Sequence, residues 1–129
     1  MDWKHTQRQI RDKVKVNTDV NTPRSTYRII KSVDSEISSS RYGYRGENGF
    51  VVSIGQSSNV DIPWSMLNEC FAQLNSRDGY DGKFFRKRFP VQASDHPCHV
   101  HVVGQILVAA GIAYPDAAGK RYRMVKGQS

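Results

Sequence analysis

The residues best equipped for chemistry crowd into one short stretch: His96, Cys98, His99 and His101, with Asp95 immediately before them. Imidazole and thiolate are the donors that zinc and other transition metals prefer. His96 and His99, or Cys98 and His101, stand three apart and share one turn if the segment is helical. A closed zinc site takes four ligands, however, and no second Cys or His cluster follows; His5 is remote and Cys70 falls within an apolar helix pattern. Metal binding by His96, Cys98, His99 and His101 is therefore a rival reading and not the leading one. A hydrolase reading uses the same atoms, with Cys98 at a helix N-terminus, where the dipole lowers a thiol pKa, and a histidine as base. Adjacent Cys98 and His99 point to different sides of a helix, which weakens that pair. With no phosphate-cradling glycine loop, paired-carboxylate motif or dinucleotide fingerprint in the chain, no catalytic residue and no cofactor is assigned.

The third chemistry is charge. Lys83, Arg86 and Lys87 precede the cluster and Lys120, Arg121 and Arg123 follow it. Phe85 and Phe89, four apart, anchor the first set against a core, so its cations are held in place; each phosphate contact would add about one unit to the salt dependence of binding. Between the two sets, Gln105 is a residue type that pairs bidentately with adenine, and Val102 one that meets a thymine methyl. His99 and His101 would reach phosphates near a helix N-terminus. The expected nucleic-acid-binding set is Lys83, Arg86, Lys87, His99, His101, Gln105, Lys120, Arg121 and Arg123.

Composition agrees with such a partner. The chain has 129 residues, 38% hydrophobic and 24% charged, enough for one modest core. Its 19 Lys and Arg against 12 Asp and Glu give +7, which favours phosphate-bearing or otherwise acidic partners. The first residues lack the apolar core of a signal peptide and no run approaches a membrane span, so a soluble cytoplasmic protein with no membrane partner is expected. Two cysteines, Cys70 and Cys98, are too few for a disulfide scaffold.

The elements that must position these residues follow from periodicity and breakers. Residues 1–25 are polar and basic, with Trp3, Ile10 and Val14 as a sparse apolar side and Asn17, Asn21 and Pro23 as breakers. They read as a flexible basic arm ahead of a single α+β domain over 26–129. Residues 26–33 and 50–54 are β-branched and aromatic and read as an antiparallel hairpin. Between them Tyr42 and Tyr44 alternate with Arg41 and Arg45. A helix opens at Asp61–Trp64, capped by Asp61 or Ser65, with Trp64, Leu67, Phe71 and Leu74 on one face. A short helix over 83–89 ends at Pro90, and 91–95 is a loop. Ser94 or Asp95 caps a last helix begun at Pro97, with Val100, Val103, Leu107 and Ala110 as its stripe. Gly104 would allow close approach to the Trp64 helix, and Gly111 would supply a left-handed stop. Residues 112–125 form a hairpin around Pro115–Gly119.

Over roughly residues 62–126 this order of three helices, an Ala-Gly-Ile stop and a hairpin with basic residues at its tip resembles the winged helix-turn-helix superfamily. The resemblance implies an α+β fold: an N-terminal antiparallel β-hairpin followed by a three-helix winged-helix-like body with a C-terminal β-wing. It makes the helix of residues 97–110 the recognition helix, with Gln105, His101 and Val102 toward bases, and puts Lys120, Arg121 and Arg123 on a wing along the backbone. The function expected is that of a small basic nucleic-acid-binding protein, with duplex DNA favoured and no catalysis. One alternative is a protein-interaction or homodimeric module, favoured if Trp3, Tyr42 and Tyr44 form an exposed aromatic patch. The other is a metal-dependent or Cys/His hydrolase.

Overall fold

The computed structural model describes residues 2–24 and 27–126. The chain opens with a helix instead of the expected flexible arm: Asp2 caps α1 (Trp3–Lys13) by accepting a hydrogen bond from the His5 N–H at 2.8 Å. Ile10 and Val14 are fully buried, and Trp3 packs against Trp64 and Phe71 with ring centroids 6.0 and 5.8 Å apart. Lys4, Arg8, Arg11 and Lys13 stay on the exposed side. Few apolar residues are needed to hold a helix when the core itself supplies the other face, and that is why a sparse pattern misled. Thr26, where the first strand was expected to begin, lies outside the described residues.

Three strands, β1 (Ile29–Glu36), β2 (Asn48–Ser53) and β3 (Asn59–Pro63), pair antiparallel with β2 in the middle, so the expected hairpin is a three-stranded sheet. In β3, Val60 and Ile62 alternate inward, a pattern too short to stand out before the helix that follows. Asp34 adopts φ 49° where the β1 register slips. Its carboxylate accepts from Trp64 Nε1 at 2.7 Å and Arg11 Nε at 3.0 Å, which ties α1 to the sheet and to the next helix.

That helix, α2 (Trp64–Leu74), buries Trp64, Leu67, Phe71 and Leu74 as its spacing predicts, and Cys70 with them. Pro63 occupies the N-cap position, no side chain caps the helix, and Ser65 instead donates to Glu47 at 2.7 Å. After β4 (Tyr80–Asp81), Asp81 caps α3 (Gly82–Arg88) by accepting from the Phe84 N–H at 3.0 Å. The expected loop over 91–95 is a further helix, α4 (Pro90–Asp95), because Pro90 fits a first helical turn as well as it ends the preceding one. Then come α5 (His99–Ala109), β5 (Ala113–Pro115) and β6 (Arg121–Met124). Gly111 ends α5 with φ 77° as expected.

The second sheet has the order β4-β6-β5. The expected wing is therefore a sheet interior: β6 is flanked on both sides, with Tyr122 opposite Tyr80 and Pro115. The described residues form five helices and two three-stranded antiparallel sheets in the order αβββαβαααββ. This replaces the layout of hairpin, three-helix body and wing. α5 runs through the core with Val102, Val103, Ile106 and Leu107 fully buried. Gly104 makes its close approach to β6, since a Cβ there would stand 2.4 Å from the Tyr122 ring. None of the described helices is long and apolar enough to cross a membrane.

Candidate nucleic-acid interface

The two basic stretches flanking α5 lie on the same side of the molecule. Lys83 and Arg86 of α3, Lys120 and Arg121 at the start of β6, and Arg24 from the segment after α1 line one open cleft of about 570 Å³. Pro97, Val100 and His101 form its inner wall. The local reasons are legible: Asp81 ends a strand and caps α3, which directs the α3 cations outward, while Asp116 holds the β5–β6 turn by accepting from the Lys120 N–H at 3.1 Å. Asp81 also pairs with Arg121 at 3.1 Å. Burial raises the Asp81 carboxyl, but the Phe84 N–H and the Arg121 guanidinium outweigh it and hold the group below its ordinary value. Five cations against the carboxylates of Asp81 and Asp116 leave the cleft positive.

Lys83 and Arg121 are shared with a second hollow of about 490 Å³, which Lys87 also lines, so the basic surface continues around α3. Arg123 lies beside it, with Nη1 donating to the Arg77 carbonyl at 2.8 Å. Of the residues expected to contact nucleic acid, Lys83, Arg86, Lys87, His101, Lys120 and Arg121 thus line this continuous face. Gln105 and His99 do not. The Gln105 amide donates to the Tyr122 hydroxyl at 3.4 Å, and Val102 is fully buried, so α5 is a structural helix and not one that enters a groove.

His99 is 1% exposed. It stacks on Phe85 at 5.8 Å, and its Nδ1 is 3.2 Å from the His96 carbonyl oxygen. Burial pulls its pKa down to about 4, against the opposing hydrogen bond to that carbonyl, so the ring is neutral. With Tyr42, Asp61 and His96 it borders a separate cleft of about 370 Å³. His96 and His99 thus share one cleft, with ring centroids 5.9 Å apart, while His101 lines the other, and the described residues contain no group of three or more His, Cys, Asp or Glu placed to hold a metal ion. Burial also pushes the Cys98 thiol up, more than the nearby Arg28 charge pulls it down, which keeps it protonated near neutrality. Trp3 sits against Trp64, whereas Tyr42 and Tyr44 face α4, donating to Asp95 at 2.7 Å and accepting from Gln92 at 2.8 Å respectively; the three rings do not form one patch.

Sequence reasoning missed Asp81, Asp116 and Arg28 and left Arg24 in a supposed arm. Asp81 carried a signal: an Asp directly before Gly82 and three residues ahead of Phe84 stands where an N-cap belongs. Arg28 carried a fainter one, a single cation between Tyr27 and Ile29. No protein-family model, curated protein or solved structure matches the chain.

Proposed function

We propose that this protein binds nucleic acid along the basic cleft, with the phosphate backbone lying between α3 and the β5–β6 turn. The supporting observation is the convergence of Arg24, Lys83, Arg86, Lys120 and Arg121, from three separate parts of the chain, on one side of the fold. Ammonium and guanidinium groups spaced along an open cleft suit a linear polyanion, and each phosphate they neutralise releases a counterion. Because α5 is buried, contact falls on the backbone, which positions a nucleic acid without reading its sequence. Duplex DNA is the favoured partner.

Binding to fluorescent duplex and single-stranded probes of mixed sequence, titrated in salt, tests this reading. Affinity is expected to fall linearly with salt on a log–log scale, and the Arg86→Ala/Lys120→Ala double variant to lower the slope by about two. An affinity indifferent to salt, or no binding to either probe, would overturn it.

A further inference from the structure

Arg28 is 4% exposed, yet no carboxylate pairs with it among the described residues. Its Nη2 donates to Thr22 Oγ1 at 2.6 Å, while Nε and Nη1 have no hydrogen-bond partner among the described residues. A guanidinium cannot shed its charge by losing a proton, so burying it without a counter-charge is costly and the positive field remains. That field acts on Cys98, Tyr122 and His101, the last of which lines the inner wall of the basic cleft. Arg24, at the same wall, acts on His101 as well.

The hydrogen bonds around His101 favour the tautomer that keeps Nε2 as a donor. Gln105 donates to the Tyr122 hydroxyl, and that oxygen is 2.9 Å from His101 Nδ1. The Tyr122 hydroxyl hydrogen is then free to go to Nδ1, and the imidazole proton is left on Nε2. Burial first, then Arg28 and Arg24, hold the ring pKa below its ordinary value, so at neutral pH Nε2–H is a neutral donor set in a positive field.

We infer that His101 and Arg24 form a phosphate site in the cleft, with the charge of buried Arg28 acting on it through His101, and that its ligand is a phosphate monoester dianion. A monoester dianion brings two charges and three oxygen acceptors to a cleft whose cations outnumber the carboxylates of Asp81 and Asp116. A strand's terminal phosphate and a free phosphate share this chemistry. The inference rests on reading the cleft as a phosphate-binding surface, but it concerns one position in it.

Inorganic phosphate against chloride at equal ionic strength, followed by thermal unfolding and by the His101 imidazole NMR signals, separates the two claims. The wild-type chain is expected to gain a saturable rise in melting temperature with phosphate, accompanied by a rise in the His101 pKa. Arg28→Met is expected to bind phosphate roughly tenfold or more weakly, and Arg28→Lys to retain most of the effect. Arg28→Met should be as stable as wild type or more so in chloride, since it removes a buried unpaired charge. Equal effects of phosphate and chloride on the wild type would overturn the site, whatever the variants do; so would equal phosphate binding by wild type and Arg28→Met. Salt-sensitive DNA binding alongside either result would leave the cleft reading intact. In a further arm, tighter binding of a 5′-phosphorylated oligonucleotide than of its 5′-hydroxyl form assigns a strand end to the site, and stabilisation by inorganic phosphate without that preference assigns a free phosphate.

Discussion

His99 shows how far a residue's type can mislead about its task. As a histidine near a helix start it reads as a phosphate contact, but it is shut between Phe85 and the carbonyl of His96, and its ring takes a proton only at about pH 4. In the unfolded chain the same ring is protonated below about 6.5. The unfolded state therefore binds more protons between those values, so stability is complete above pH 6.5 and falls as the pH drops toward 4, by up to about 3 kcal/mol. Urea unfolding at pH 7.5 and 4.5 should show a lower midpoint at the acid end, and His99→Gln should flatten the difference. Gly104 makes a second residue-scale prediction. A methyl placed there meets the Tyr122 ring at 2.4 Å, where β6 cannot retreat without breaking its pairing with β4 and β5. Gly104→Ala is expected to cost about 1–3 kcal/mol despite the better helix propensity of alanine, read as a lower denaturation midpoint with an unchanged slope.

At the scale of elements, the long apolar periods were legible and the short or charge-covered ones were not. Trp64, Leu67, Phe71 and Leu74 placed α2, and Val100, Val103 and Leu107 placed α5, because each stripe spans several turns and burial follows it. α1 has only Ile10 with Trp3 as its apolar side, and its basic residues look like a solvated arm; what makes it a helix is the Asp2 cap and the surface of α2 and α5 waiting for it. β4 is two residues long and has no period to read; its existence depends on Tyr122, far along the chain. The consequence is testable by truncation. Removing residues 1–14 would leave a flexible-arm protein folded, whereas here it uncovers Trp64 and Phe71 and takes Ile10 and Val14 out of the core. The truncated chain is expected to lose the cooperative thermal transition in circular dichroism, or to show a melting temperature lowered by ten degrees or more on the order of several kcal/mol lost.

For the whole molecule, the question is whether the net charge of +7 or its placement carries binding. Lys4 and Arg8 are exposed on α1 and do not line the cleft, whereas Arg86 and Lys120 do. Lys4→Ala/Arg8→Ala and Arg86→Ala/Lys120→Ala remove the same charge. If placement matters, the first pair leaves the salt slope of DNA binding almost unchanged and the second lowers it by about two. Equal effects would mean that only the overall field attracts the polyanion.

The sequence by itself determined the sign of the surface, the two blocks of cations, the α2 and α5 stripes and the glycine that stops α5, because charge and local period are properties of neighbouring residues. Tertiary structure alone decided that Lys83 and Arg86 face Lys120 and Arg121 across a cleft and that α5 is a core helix. It also decided that His99 borders a different cleft and that Arg28 is buried. Each of those outcomes depends on contacts between distant stretches, above all β6 inserting between β4 and β5, and side-chain type carries no record of which distant partner will bury it.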